Sequence, residues 1–272
     1  MQKLENENEA DIISAQGITI RMRSGVYHVE ARKTVTSTNT VLRELAAKGA
    51  QEGYVLVAEE QTEGKGRLGR SFHSPAGHGA YFSVLLRPTL SAIETTLVTS
   101  AAAVAAARAI EAVFEVSVGI KWVNDLTISG KKVCGILTEA SFDAESGTVS
   151  SCVLGIGINV TIPENGFPEE LKNTAATVAD RHIAREGERC RLIAATLDSF
   201  HELYKDISAR AFLDEYRARS TVIGHDILVL SGGAAKPARA LEIDDNCRLV
   251  VKYDDGTTVT LDSGEVSVRN IK

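Results

Sequence analysis

The sequence lacks paired cysteines. Its four, Cys134, Cys152, Cys190 and Cys247, are scattered and form no C-x-x-C pair. That spacing excludes a disulfide frame and a zinc ribbon, and it points to reduced, buried thiols in a cytoplasmic protein. A basic excess is also missing: 30 Lys plus Arg stand against 36 Asp plus Glu, for a net charge of −6. Such a balance opposes non-specific attraction to nucleic acid or to an anionic membrane, so any bound anion must be met by a local cluster of cations. No apolar run approaches the roughly 20 residues needed to cross a bilayer. The opening "MQKLENENEAD" is too polar and acidic for a signal peptide or targeting helix. Internal repeats and low-complexity segments are absent. What is present is a chain of 272 residues, 44% hydrophobic and 24% charged, enough for one large and one small domain with separate cores.

Residues 1–10 read as a disordered tail. "YHVEARKTV" alternates like a strand, and "TSTNTVLRELAAKGA" reads as a helix capped at Ser37 or Thr38 and ended by Gly49. "GYVLVAEEQ" and "GAYFSVLLRP" are further strands, the second stopped by Pro88. The longest expected helix covers 91–114, with Ile93, Leu97, Ala101, Val104 and Ile110 near helical spacing. "VSVGIKWVNDLTISGKKVCGILTEASF" gives strands joined by a turn at Ser129-Gly130, and "SSCVLGIGINV" gives another. Two amphipathic helices fall within 188–218. Beyond Gly224 the composition changes to short strands with an Asp255-Gly256 hairpin signal, as expected for a small β-barrel appended to an α+β domain.

"EGKGRLGRS", residues 63–71, places Gly64, Gly66 and Gly69 at the spacing of a dinucleotide-binding turn. That turn requires a following helix and an acidic residue about 20 positions on. The continuation instead carries Pro75, Gly77 and Gly79, and the stretch "VLLRP" has no acid. A P-loop fails too, because Glu59 stands where its first glycine belongs. What remains is a flexible loop bearing Lys65, Arg67 and Arg70, with Phe72 behind them. Its glycines permit close approach to a ligand, and its cations supply the local charge. A solvated basic surface loop is the plainer reading of the same residues. "KWVNDL" (121–126) can present an amide and a carboxylate to a metal-bound phosphate or a ribose. Lys131 and Lys132 follow a glycine turn, where plain solvent exposure is the ordinary outcome. In "GIGIN" (155–159) the glycines allow close packing beside a site.

Taken together, "STN" at 37–39, Gln61, "GKGRLGR", "KWVNDL", "KKVCGIL", "GIGIN" and the closing "SGEVSVR" resemble the biotin protein ligases, in order and over nearly the whole chain from about residue 25. The resemblance implies a mixed β-sheet flanked by helices, a class II synthetase-like catalytic domain at 25–222. A tail at 1–24 precedes it, and a small C-terminal SH3-like barrel at 223–272 follows. It implies a two-step ligase: biotin and Mg-ATP form biotinyl-5′-AMP, and the biotinyl group then passes to a lysine of a biotin carboxyl carrier domain of a carboxylase. A lipoate–protein ligase is the nearest rival, and a nucleic-acid-binding module is a rival of another class.

The resemblance further implies roles for individual residues. Ser37, Thr38, Asn39 and Gln61 surround the biotin head group. Gly64, Lys65, Gly66 and Arg67 belong to the segment that folds over biotin and the phosphates, and Lys132 reaches the reacting carboxyl. Arg67 and Lys132 are thereby the catalytic cations. Arg70, Asn124 and Asp125 serve the nucleotide together with Arg67, and Asp125 serves its Mg²⁺. Phe72 stands where the family often has a tryptophan stacked on adenine. Lys65 departs from the arginine of many relatives, losing a bidentate fork but keeping the charge. Residues 1–24 are too few for the helix-turn-helix that makes some relatives repressors, so DNA binding is not expected. Membrane association is not expected either, and a homodimer is an allowed assembly.

Overall fold

In the computed structural model, which describes residues 11–88, 95–143, 148–231, 234–262 and 267–270, the strands sort into two sheets. The elements run α1 (Ala15–Thr19), β1 (His28–Val35), α2 (Thr38–Ala47), β2 (Tyr54–Gln61), β3 (Gly79–Leu86), α3 (Thr95–Phe114), β4 (Gly119–Lys121), β5 (Asp125–Ile128), β6 (Lys131–Phe142) and β7 (Val149–Asn159). They continue with α4 (Glu188–Tyr204), α5 (Leu213–Ala218), β8 (Asp226–Ser231), β9 (Ala234–Ile243), β10 (Leu249–Tyr253), β11 (Thr258–Leu261) and β12 (Ser267–Asn270). The large sheet has the order β1-β2-β3-β7-β6-β5-β4. It is mixed: β1 and β2 are parallel, and the remaining neighbours antiparallel. The small sheet, β11-β10-β9-β8-β12, is antiparallel throughout. The β5–β6 turn carries Ser129 at φ 50° and Gly130 at φ 77°, the paired positive values that a type I′ hairpin requires.

Side chains alternate across a strand, and here both faces are used. On one face Phe82, Val84 and Leu86 of β3 and Leu154, Ile156 and Ile158 of β7 join the main core with α3 and α4. On the other, Leu56, Leu85 and Val153 pack under Leu42 and Ala46 of α2. This double burial explains why all eight residues of β3 are buried and its sequence shows no alternation.

Three expectations change. Residues 11–24, assigned to a tail on sequence grounds, are folded against the catalytic domain and give Ile13 and Ile18 to its core. Ile18 is fully buried, Asp11 forms a buried ion pair with Arg189 (2.7 Å), and the backbone N–H groups of Arg23 and Ser24 donate to Asp198 of α4. Secondly, α3 is 20 residues long and by length and composition apolar enough to cross a membrane, where no apolar run of that length was expected. Its residues from Leu97 to Ile110 are buried on almost every side within the core, as suits a helix apolar all round. Thirdly, Ser37 is the N-cap of α2 by backbone conformation only, and its side chain makes no capping bond. The expected tail at 1–10, the first turn of the expected long helix with Ile93, and the first four residues of "SGEVSVR" lie outside the described residues.

Candidate active site

On the face of the sheet covered by α2, the odd-numbered residues of β7 include Val153, Gly155 and Gly157, paired with Glu139, Leu137 and Gly135 of β6 and with Leu85, Ser83 and Tyr81 of β3. Val153 lies under α2, while Gly155 and Gly157 beyond it carry no side chain. The glycines leave a trough, a cleft of about 430 Å³ including its solvent-open part. Each missing Cβ is used. One on Gly155 would stand 2.1 Å from Asn39 Oδ1, one on Gly157 2.6 Å from the Phe72 ring, and one on Gly135 2.9 Å from Lys132 Nζ.

One wall is the N-terminus of α2. Ser37, Thr38 and Asn39 line the cleft, yet they are only 2%, 4% and 3% exposed. Gln61, at the end of β2, performs the capping that Ser37 does not: its Oε1 accepts the Thr38 N–H at 2.9 Å, and its Nε2 donates to Ser74 Oγ at 2.9 Å. The Asn39 amide nitrogen donates to Glu139 Oε2 (2.8 Å) and to the Leu137 carbonyl (3.2 Å), and Ser83 Oγ lies 2.6 Å from Asn39 Oδ1.

The opposite end is cationic. Lys132 Nζ lies 2.7 Å from Asp125 Oδ1 and 5.8 Å from the centre of the Phe72 ring, so it enters the cleft and is no exposed turn lysine. Its backbone is held by a bond to the Thr174 carbonyl and one from the Ala176 N–H. Arg67 Nη1 donates to Asn124 Oδ1 at 2.9 Å, while Asn124 Nδ2 donates to the Ile136 carbonyl. Burial pulls the Arg67 pKa below its ordinary value, against the opposing influence of Asp125 and Tyr216. The turn bearing Asn124 and Asp125 is fixed from the small sheet and from α5. Trp122 Nε1 donates to the Cys247 carbonyl (2.8 Å), and the Tyr216 hydroxyl to the Val123 carbonyl (2.9 Å).

The glycine loop is a folded hairpin. Gln61 bridges Ser74, Lys65 bridges Ser71, the Phe72 N–H meets the Gly64 carbonyl at 2.8 Å, and a short 3-10 turn spans Arg67–Gly69. Lys65, Gly66, Arg67 and Phe72 line the cleft. Gly64 is buried beneath the hairpin, where a Cβ would strike the Phe72 carbonyl at 2.3 Å. Three anticipated residues stand apart from the cleft lining: Gly64 lies beneath the hairpin, Arg70 is exposed, and Asp125 sits behind Lys132. Phe72, expected to stack on adenine, packs one side of its ring against Gly157 and Gly135. Ser74, Ser83, Gly135 and Glu139 were missed, because strand register brings the last three here and the fold of the glycine-loop hairpin brings Ser74. Among the described residues no group of three or more His, Cys, Asp or Glu is arranged for a metal.

Comparison with known proteins agrees with this geometry. Residues 31–159 match the Biotin/lipoate A/B protein ligase family, and residues 222–269 match the Biotin protein ligase C terminal domain. A Biotin--[acetyl-CoA-carboxylase] ligase of Mycobacterium tuberculosis is 32% identical over 252 residues, covering 89% of this chain and 90% of the relative. The chain belongs to the biotin protein ligase family. A Bifunctional ligase/repressor BirA of Bacillus spizizenii is 34% identical over 232 residues, 84% of this chain and 70% of the relative. Among solved structures, the biotin protein ligase from Aquifex aeolicus in complex with biotin and ATP superposes with a TM-score of 0.72 at 26% identity, over 90% of this chain and 99% of that one. The fold is thus that of the class II synthetase-like biotin ligases, and the family is one of ligases.

Proposed function

We propose that this chain activates biotin with ATP and transfers the biotinyl group to a lysine of a biotin carboxyl carrier domain. The observation that carries the reading is one cleft with a polar, buried wall at one end and two cations at the other. The wall, at Ser37, Thr38 and Gln61, suits a ureido head group, while Lys132 and Arg67 suit a meeting of two anions. In the first step a biotin carboxylate oxygen attacks the α-phosphorus, the bond to the bridging oxygen breaks and pyrophosphate leaves. A unit charge pair at 4 Å is worth roughly 4 kcal/mol at an effective dielectric of about 20. Lys132 and Arg67 therefore lower the repulsion between carboxylate and phosphate, with Asp125 and Asn124 aiming them. In the second step a lysine amine attacks the biotinyl carbonyl, AMP leaves and the amine gives up a proton. Between the steps the folded loop keeps water from the mixed anhydride.

Magnesium fits this donor set only as a passenger of the nucleotide, since among the described residues Asp125 is the one carboxylate paired with these cations. It would neutralise phosphate charge there. A lipoate ligase shares the fold of the first matched region, but the matched C-terminal domain favours biotin. We divide the chain into a catalytic unit to residue 222 and a small β unit beyond it. The four free, buried cysteines suit the reducing cytoplasm. ATP–pyrophosphate exchange that needs both biotin and Mg²⁺ tests the reading, and exchange that runs without biotin or only with lipoate overturns it.

A further inference from the structure

We propose that Ser74 is a positioning residue for the nucleotide, holding the Phe72 main chain, and with it the Phe72 ring, against the head-group wall of the cleft. This role rests on the activation of biotin by ATP proposed above, with the nucleotide base against Phe72.

Thr38, Gln61, Ser74 and Phe72 form a run of hydrogen bonds whose direction one group fixes. The Thr38 backbone N–H can only donate, and Gln61 Oε1 accepts it at 2.9 Å. The same oxygen accepts from the Thr38 hydroxyl at 3.1 Å. With Oε1 committed there, Gln61 Nε2 faces Ser74 and donates to its Oγ at 2.9 Å. The Ser74 hydroxyl keeps its own proton and donates it to the Phe72 carbonyl at 3.0 Å. Ser74 is buried, so water does not readily replace either bond.

The main chain ties the same residues together. The Gln61 N–H donates to the Ser74 carbonyl at 3.1 Å, and the Phe72 N–H to the Gly64 carbonyl at 2.8 Å. Phe72 is thereby held at both its N–H and its carbonyl. Its ring lines the cleft beside Lys132, whose Nζ lies 5.8 Å from the ring centre. An aromatic ring next to the cation that meets the phosphates is a surface for a base. Gly64 is glycine for the same reason: a Cβ there would stand 2.3 Å from the Phe72 carbonyl oxygen and 2.8 Å from Ser74 Oγ. One hydroxyl therefore joins the wall that suits the head group to the ring that suits the base. Without it the Phe72 carbonyl loses its donor, while Gln61 keeps both bonds to Thr38 and the wall stays in place.

The test reads the ATP KM, the biotin KM and kcat in pyrophosphate exchange, with thermal melts, for Ser74→Ala, Ser74→Cys, Phe72→Ala and the double variant of Ser74→Ala with Phe72→Ala. A buried hydrogen bond left unmade corresponds to roughly a ten-fold or larger change in affinity. Ser74→Ala is expected to raise the ATP KM about ten-fold, with the biotin KM and kcat within about three-fold of wild type. Ser74→Cys, a weaker donor of similar size, is expected to fall between, and it is read by the same criteria if Ser74→Ala does not fold. In the Phe72→Ala background the Ser74→Ala change is expected to add less than about two-fold, because the ring that Ser74 positions is gone. A full ten-fold addition in that background, a rise confined to the biotin KM, or an unchanged ATP KM in the folded variants overturns the positioning role. A wild-type protein that fails to exchange with biotin overturns instead the functional reading beneath it.

Discussion

Gly155→Ala is the sharpest perturbation of this site, because sequence propensity and structure predict opposite signs. Alanine in a strand interior is normally favoured over glycine by roughly 0.5–1 kcal/mol. Here the new methyl would stand 2.1 Å from Asn39 Oδ1 and 2.8 Å from its Cγ. Asn39 must move, and moving it breaks bonds to Ser83, to the Leu137 carbonyl and to the charged Glu139. Two neutral bonds at about 0.5–1.5 kcal/mol each and one charge-assisted bond at about 1.5–3 kcal/mol set the upper range. With partial relaxation the expected cost is about 2–5 kcal/mol, or a fall in Tm of roughly 5–15 °C for a domain of this size. Urea or thermal unfolding of Gly155→Ala, Asn39→Ala and the double variant measures it. Gly25→Ala serves as control, since nothing lies within 4 Å of its Cβ. Because Asn39→Ala removes the clashing atoms, the double variant is expected to be more stable than the sum of the singles by about 1–3 kcal/mol. A Gly155→Ala protein within about 0.5 kcal/mol of wild type, or strict additivity, would refute the close-approach argument.

Lys132→Ala should reduce adenylate formation by orders of magnitude with an unchanged melt, whereas a merely exposed lysine would cost almost nothing. Arg67→Gly removes the bond to Asn124 and should loosen retention of the adenylate, so that biotin labels albumin added as a bystander. Retained adenylate without labelling contradicts that role. Trp122→Phe deletes the donor to the Cys247 carbonyl between the two sheets and should cost about 1–3 kcal/mol in unfolding experiments. Burial alone would push the Asp198 carboxyl up, but hydrogen bonds from Ser24 and Arg23 outweigh it and hold the pKa below the ordinary value. A depressed folded-state pKa stabilises above the unfolded value of about 3.9 and is lost as pH falls further. Asp198→Asn should therefore be destabilising at pH 7, with the gap to wild type narrowing below about pH 4. A gap independent of pH would contradict the linkage.

Local signals were legible where one stretch of chain decides the outcome. The Ser129-Gly130 hairpin, the Asp255-Gly256 turn and the strands leading into them are written in adjacent residues. The cationic end of the site was legible for the same reason, since Arg67 and Lys132 sit in dense short motifs. Residues 11–24 were not legible. Their anchors, Asp198 and Arg189, lie more than 170 positions away, and α1 is only five residues long. Glu139 and Ser83 were hidden likewise, 100 and 44 positions from Asn39, and only the pairing of β3, β7 and β6 brings them to it. The length of α3 was legible, but its apolar character was not, because Thr95, Thr96 and Thr99 break up its start, and Arg108 and Glu111 its end.

The central claim, that this cleft makes and transfers a biotinyl group, is tested most directly by intact-mass spectrometry of a carrier domain incubated with the protein, biotin and Mg-ATP. The account predicts one added biotinyl group on one lysine, lost when ATP is withheld and abolished by Lys132→Ala. An unmodified carrier with biotin, alongside a lipoyl adduct when lipoate replaces it, would contradict the account.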